Sequence, residues 1–513
     1  MINGFRCVLS EDQAKNSDRY TISKLLISED LLVECVGHSI AEEVHIPEEV
    51  IIFVGPGNNG ADALAAARHL ISLNLKILVV VISKRESLKF QCEKQLKLLE
   101  HINDTRDSMS KLFTYKIFPK ESEIKKICSN ISKGSVIIDG IFGAGLNKSP
   151  EGLALSAIRA INNIYNKAKI LAIDIPSGLS LNARKPLGEA IKAHKTITFN
   201  HLKEAHISEP TKIFCGDVIV KNIGLFDEQI PSLFHYSKKI PLNHLLKPVS
   251  KISHKVNFGR VLIMEGEPKF MGASRLAARS ALRAGAGLVS ILVSDIKNHH
   301  PSDLAEFIKI NLKDISSSDF DSLVVGPGLS KDEHFQELAL DIINSAIKKN
   351  VKMIVLDACG LKLLSKINFQ NSSSLCVCTP HPKEAAELLK IATSLVEEDR
   401  FLAIKSLRAL HQTFSSNIIW VLKGATTLVA APSGEIYSFA GDAPVLSTGG
   451  SGDILSGAIA GLSAQTNCVF DAVLLAISLQ ISAAFEKESE KGILPHELAD
   501  SFPKLLKRIV VNE

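Results

Sequence analysis

Val50-Ile-Ile-Phe-Val-Gly55-Pro-Gly-Asn-Asn-Gly60-Ala-Asp-Ala-Leu-Ala65-Ala-Ala-Arg-His-Leu70-Ile-Ser-Leu73, followed closely by Lys76-Ile-Leu-Val-Val-Val-Ile82, sets the architecture of the first half of this chain. Residues 50–55 (VIIFVG) are apolar throughout, the pattern of a strand covered on both faces. Glycines then permit a tight turn, and Leu64, Ala67, Leu70 and Ile71 recur at helical spacing over residues 61–73. Residues 76–82 complete strand, turn, helix and strand, a βαβ unit whose crossover is expected to be right-handed. Residues 135–139 (SVIID), 169–174 (KILAID) and 195–199 (KTITF) repeat the strand pattern. This half reads as a doubly wound parallel sheet.

The alternation lapses between about Phe226 and Asn257, where Pro231, Pro241, Pro248 and clustered lysines suggest an interdomain linker. It restarts with a strand at 259–265, a helix at 273–284 and a strand at 288–293. Further strands are expected at 322–326, 351–357, 374–379 and 417–423, then a hairpin pairing 427–431 with 435–439. With helices between most of them, this is a second three-layer α/β domain with a late antiparallel addition.

At 513 residues the chain exceeds what one core accommodates, and 46% apolar with 22% charged residues fits a globular protein. The net charge of +4 is small, and no dense Lys/Arg block points to nucleic acid or a membrane surface as partner. The nine cysteines show neither a Cys-x-x-Cys pair nor zinc spacing, which fits a reducing cytosol. Residues 1–10 lack a signal-peptide pattern, and the apolar stretch at 77–82 is far too short to span a bilayer, so the chain is expected to be cytoplasmic.

Chemistry is expected in the loops after the strands, the edge where open α/β sheets bind ligands. In the first half the loop 55–62 adds Asn58 and Asn59 to its glycines, with Asp62 either at a binding site or capping the helix. Asp139 ends the third strand and leads into Gly140-Ile-Phe-Gly143-Ala-Gly145-Leu146. Asp174 ends the fourth and leads into Ile175-Pro-Ser177-Gly-Leu179. Oxygens from Asn59, Asp139 and Asp174 or Ser177 could converge on a monovalent cation, leaving one carboxylate for proton transfer. Each is also a common capping residue.

These three segments resemble the motifs of the NAD(P)H-hydrate epimerase domain, a Rossmann-like three-layer fold. The resemblance implies that Asn59, Asp139 and Ser177 hold a potassium ion. It also implies that Asn58, Asn59, Gly60, Ala61 and Asp62, with Gly143, Ala144, Gly145, Leu146, Asn147, Lys148 and Ser149, line the nucleotide hydrate, with Asp174 as the proton-transfer group. Ala61 and Ala63 stand where that family has glycines.

In the second half, Gly449-Gly-Ser-Gly452-Asp453 opens onto an apolar helix. Free N–H groups and the positive end of a helix dipole stabilise a phosphate there, and a carboxylate at the same place can act as a base. No Gly-Lys-Ser/Thr ending follows, so this is not a Walker A loop. The plainer reading is a glycine turn before a core helix. Met271-Gly-Ala273, Gly326-Pro-Gly328-Leu329, Thr379-Pro-His381-Pro382 and Lys423-Gly-Ala-Thr-Thr427 are expected on the same edge. His381 sits in an extended turn between prolines.

This set resembles the ribokinase-like NAD(P)H-hydrate dehydratase domain. The resemblance implies that Ala273, Gly328, His381 and Asp453 face the substrate, with Asp453 as the base. Lys423, Gly424, Ala425, Thr426, Thr427 and Gly452 would face ADP or ATP, with Mg2+ on its phosphates. Cys359, Lys383 and Asp442 depart from the family pattern.

Together the halves resemble a bifunctional repair enzyme: residues 1–228 as epimerase, 229–250 as linker and 251–513 as dehydratase. The expected substrates are NADHX and NADPHX, with an adenine nucleotide, and a homo-oligomer is expected. A fused chain resembles the ADP-dependent bacterial form. Because fold does not fix function, two alternatives stay open: a vitamin or sugar-alcohol kinase, and a non-catalytic nucleotide-binding N-terminal module.

Overall fold

The expected βαβ unit is present as strand Val50–Val54, helix Asn58–Ser72 and strand Ile77–Val81. This computed structural model describes all residues except 1–3, 46, 48, 74, 106–112, 182–184, 227–232, 237–241, 248–251, 294–305, 370–371, 411–416, 488, 490 and 512–513. The helix begins at Asn58, earlier than its apolar periodicity indicates, so Asn58, Asn59 and Gly60 form its first turn. Gly60 makes this possible, because a Cβ there would stand 2.1 Å from the Gly55 carbonyl oxygen. The N-cap is Gly57, not Asp62.

The chain divides into two units, Arg6–Ser232 and Leu233–Glu513 with Met1–Phe5. In the first, the strands Phe113–Ile117, Ile77–Val81, Val50–Val54, Val136–Gly140, Lys169–Ile173, Lys195–Phe199 and Asp217–Lys221 lie side by side in that order, all parallel. The order reverses direction between Val50–Val54 and Val136–Gly140, a topological switch point. Val50, Ile52 and Val54 pack on one face with Leu64, Leu70, Leu96 and Leu99, while Ile51 and Phe53 pack on the other with Ile124, Ile158 and Ile161. The sheet is therefore the middle of three layers, as expected. Both edge strands went unrecognised in the sequence: Phe113–Ile117 is largely exposed with polar residues at its centre, and Asp217–Lys221 is half-buried with an apolar run of only three residues.

The Leu233–Glu513 unit orders Ile308–Asn311, Leu288–Val293, Arg260–Met264, Ser322–Val325, Met353–Leu356, Leu375–Cys378 and Ile418–Leu422 as parallel strands. Thr426–Ala430 and Ile436–Ala440 then pair antiparallel, the expected hairpin. Leu233–Tyr236, inside the expected linker, pairs parallel with Ile436–Ala440 and is buried along its length. Phe5 packs against Tyr236, Tyr437 and Phe439 at ring separations of 5.1, 5.1 and 5.4 Å.

The helices Met271–Arg283 and Ser451–Leu462 lie backbone against backbone. A Cβ at Gly457 or Gly461 would stand 2.0 Å or 2.4 Å from the carbonyl oxygens of Ala277 and Ala281. Ser280 Oγ donates to the Ile454 carbonyl at 2.5 Å. This pairing brings the N termini of both helices to the same end of the unit. Among the described residues, no helix is long and apolar enough to cross a membrane.

Candidate active sites

The strands Met353–Leu356, Leu375–Cys378 and Ile418–Leu422 end on one edge of their sheet, followed by Asp357, His381 and Lys423. Lys423 Nζ donates to Asp357 Oδ1 at 2.7 Å, while Ser456 Oγ donates to Asp357 Oδ2 at 2.7 Å. Burial would push the Asp357 carboxyl up, but the Lys423 charge and these hydrogen bonds hold it below the usual carboxylate range. Burial likewise pulls Lys423 down, yet Asp357, Glu384 and Asp453 together raise it. Lys423 is thus within electrostatic reach of three carboxylates carried by three different elements.

Helix Ser451–Leu462 follows Gly450, whose φ of +94° lies in the left-handed region that favours glycine, and carries Asp453 in its first turn. A Cβ at Gly452 would stand 3.2 Å from Lys423 Nζ and 3.6 Å from Asp357 Oδ2. The Gly452 backbone therefore lies directly on the ion pair. Burial, then the charge of Asp357, pushes the Asp453 carboxyl up to about 7, opposed by Lys423. A carboxyl poised there is matched to proton abstraction near neutral pH.

His381 caps helix Pro382–Leu389. Its Nδ1 accepts from the Lys383 and Glu384 amides at 3.1 and 3.3 Å, and its own amide donates to Glu384 Oε2 at 2.8 Å. Nδ1 is committed to the cap, and Nε2 lies 3.4 Å from Glu384 Oε1, so both ring nitrogens face partners on their own helix. Gly328 packs beneath Phe270, where a Cβ would meet the Phe270 carbonyl oxygen at 2.5 Å, which links it to the helix start that carries Ala273. Of the turn 423–427, Gly424 and Ala425 are exposed, whereas Thr426 and Thr427 are buried in the strand. Arg400, buried beneath the turn, donates to the carbonyls of Leu422, Lys423 and Thr426 at 3.2, 3.0 and 3.0 Å.

In the other unit Asn59, Asp139 and Ser177 do come together, around one carbonyl. Asn59 Nδ2 and Ser177 Oγ both donate to the Phe142 carbonyl, at 3.0 and 3.1 Å. Asp139 accepts from Ser177 Oγ at 2.5 Å and from its amide at 2.8 Å. Burial pushes the Asp139 carboxyl up to about 6, opposed only by hydrogen bonds from Ser177 and Ile141. Gly143 packs on Asn59, where a Cβ would lie 3.0 Å from Oδ1. Beyond it, Gly145, Asn147, Lys148 and Ser149 are exposed. The departures at Ala61 and Ala63 are absorbed by the core. Both residues are fully buried, and the Ala63 methyl packs on Gly140.

Asp174 stands apart from that cluster. Its Oδ1 accepts from Lys203 Nζ at 2.8 Å and Thr198 Oγ1 at 3.0 Å. Burial would raise its pKa, but Lys203 outweighs this and holds it ionised. Asp62 is pushed well up, by burial first and then by the charges of Asp174, Asp18 and Glu29. Asp18 rises to about 6 for the same two leading reasons, burial and Asp174. One carboxylate is held charged while its two neighbours are pushed up, Asp62 the further.

Two family models match the chain: "YjeF-related protein N-terminus" over residues 29–205 and "NAD(P)H-hydrate dehydratase" over 261–504. The bifunctional NAD(P)H-hydrate repair enzyme Nnr of Coxiella burnetii is 31% identical over 478 residues, which cover 91% of this chain and 90% of that protein. This chain belongs to the family of bifunctional NAD(P)H-hydrate repair enzymes. Its Escherichia coli relative of the same name is 30% identical over 431 residues, 82% of this chain and 77% of that one. The Bacillus subtilis ADP/ATP-dependent NAD(P)H-hydrate dehydratase co-crystallised with ATP/Mg2+ is 26% identical, with a TM-score of 0.46 over 52% of this chain and 95% of that one.

In this repair-enzyme chain both matched regions contain one of the two edge sites. Sequence reasoning missed Asp357, Ser456 and Arg400 in one, and Asp18, Lys203 and His206 in the other. Asp357 could have been found, because it follows a strand end as Asp139 and Asp174 do. Arg400 carries no such signal.

Proposed function

We propose that the chain repairs hydrated nicotinamide nucleotides through two reactions: epimerisation of R- and S-NAD(P)HX, and nucleotide-dependent dehydration of S-NAD(P)HX to NAD(P)H with release of phosphate. Family membership across both units favours this over a small-molecule kinase with a binding module. The observation that supports the dehydratase reading most is Asp453, a carboxyl poised near 7 at a helix N terminus beside the Lys423–Asp357 pair.

In that reading the nucleotide occupies the exposed Gly424–Ala425 turn, with its terminal phosphate at the amides of Gly449, Gly450 and Gly452. Asp453 takes the proton of the substrate's C6 hydroxyl while that oxygen bonds to the terminal phosphorus and the rest of the nucleotide leaves. The ring nitrogen then expels the C6 phosphate with its bonding electrons, and loss of a C5 proton restores the reduced ring. Amides directed at the transferring group stabilise its charge. Magnesium would be held by the nucleotide's own phosphates and would offset their charge. Gly328, Ala273 and His381 would face the hydrated ring.

For epimerisation, Asp174 would take the C6 hydroxyl proton. The C6–N1 bond then opens to an aldehyde, and reclosure on the other face returns the proton. Asp62, kept protonated, could supply the ring nitrogen's proton in between. The loops 58–62 and 143–149 would hold the nucleotide. The donor set Asn59 Oδ1, Phe142 O, Ser177 Oγ and Asp139 suits a hard monovalent ion. A potassium ion there would supply the charge that Asp139, opposed only by neutral hydrogen bonds, otherwise lacks. The nine free cysteines fit a cytoplasmic setting. Domain limits near residues 1–228 and 251–513 suit two separate catalytic units.

Incubating the protein with mixed R and S hydrates of NADH and either ADP or ATP tests the whole reading. Complete conversion to NADH with one of the nucleotides is expected. Conversion of only half the mixture would remove the epimerase, and a stable phosphorylated alcohol would point to the kinase.

A further inference from the structure

Asp174 is held from two sides by the four-residue stretch Lys203–His206, outside every glycine-rich segment of the chain. Lys203 Nζ is almost fully buried and donates to Asp174 Oδ1 at 2.8 Å, Thr198 Oγ1 at 2.7 Å and the Phe199 carbonyl at 3.2 Å. Three acceptors use all three of its protons. The Lys203 amide donates to His206 Nδ1 at 3.0 Å, which leaves the ring proton on Nε2 to donate to the Asp174 carbonyl at 2.8 Å. One residue thus reaches both the carboxylate and, through an imidazole, the backbone of Asp174.

That backbone needs holding. Asp174 has φ of +61°, in the left-handed region that side chains rarely adopt and that persists only when the surroundings over-determine it. Its amide is tied to the Ile197 carbonyl at 2.8 Å and its carbonyl to His206. Among the described residues, both side-chain hydrogen bonds to Asp174 go to Oδ1.

We propose that Lys203 and His206 are positioning residues for epimerisation: they clamp Asp174 by its Oδ1 and its backbone carbonyl, so that Oδ2 is the atom that exchanges a proton with the hydrate's hydroxyl. This rests on the reading of Asp174 as the proton-transfer group. The charged and titratable groups that act on Asp174 are Lys203, His206, Asp62 and Asp18. His206 is held down to about 4, by burial first and then by the Lys203 charge, so it is neutral wherever Asp174 works. The two clamps therefore have separable effects. Lys203 places the carboxylate and is the larger influence on its charge; His206 places the backbone and adds a smaller charge effect.

The test measures R-to-S conversion of NADHX by the full chain without nucleotide, across pH. Lys203→Met removes the compensating cation, so the acid limb of kcat should move up by about one pH unit or more. Lys203→Arg should leave that limb in place with a reduced kcat. His206→Leu should lower kcat and move the limb less than Lys203→Met does, and His206→Gln, which can still donate to the carbonyl, should recover part of kcat. A Lys203→Met limb coincident with the wild type overturns the proposal. If cooperative melting shows that Lys203→Met does not fold, wild-type kcat in both Lys203→Arg and His206→Leu overturns it instead. Asp174→Asn separates the two levels: if it still epimerises, the role of Asp174 fails, whatever the clamp variants do.

Discussion

Lys423 and Asp357, sixty-six positions apart in sequence, form an ion pair of 2.7 Å at one edge of a parallel sheet, with both side chains largely shielded from water. The pair is more than a tie between strands. It lies under Gly452 and biases Asp453 in both directions, Asp357 raising its pKa and Lys423 lowering it.

Breaking this pair should be costly. Asp357→Asn leaves the Lys423 ammonium buried without its counter-charge, for which about 3–5 kcal/mol is typical. Chemical denaturation should show the loss in the second unit, together with a large fall in dehydration.

Dehydration should depend on pH through Asp453. The base must be ionised, and burial with Asp357 raises it to about 7, so the rate should climb as pH passes through 7. The linkage to stability has the opposite sense. A pKa raised in the folded state gives stability that is fully present below the unfolded value near 3.8 and is lost as pH rises through about 7. Asp453→Asn cannot ionise and should therefore melt higher than the wild type at pH above 7, by differential scanning calorimetry.

The contact between helices Met271–Arg283 and Ser451–Leu462 admits no side chain at Gly457. Its Cβ would stand 2.0 Å from the Ala277 carbonyl oxygen, so Gly457→Ala must push the helices apart. Overpacking of this kind costs about 1–3 kcal/mol. Dehydration should fall, because Asp453 rides on one of the two helices, while epimerisation of R-NADHX should persist.

Potassium dependence should be confined to epimerisation. Replacing potassium by lithium should slow R-to-S conversion several-fold in the wild type. In Asp139→Asn, conversion should be slow and insensitive to the cation. Equal rates in both salts for the wild type would argue against a cation at Asn59, Asp139 and Ser177.

The parallel strands were legible because strands buried on both faces carry continuous apolar runs, as residues 50–54 do. The strands that escaped notice have other partners or other exposure. Ile308–Asn311 is half-buried and alternates apolar with polar residues, and Leu233–Tyr236 is recognisable only from its pairing with Ile436–Ala440, two hundred residues on. The sites divide in the same way. Glycine-rich loops with an acidic or amide residue announce Asn59, Asp139 and Asp453, because glycine answers a local backbone need. Lys203 and Arg400 act through partners that only the sheet brings near, and no local pattern marks them, whereas Asp357 is marked by its place at a strand end. Thr426 and Thr427 show the converse, since their motif is evident but their side chains are buried in a strand.

The most direct measurement is the recovery of NADH absorbance from pure S-NADHX plus ADP, and then ATP, by Asp453→Asn, alongside R-to-S epimerisation by the same preparation. Loss of dehydration by about two orders of magnitude or more, the scale of a positioned acid–base group, with epimerisation intact is the expected result. Dehydration at the wild-type rate would contradict the assignment of Asp453 as the base.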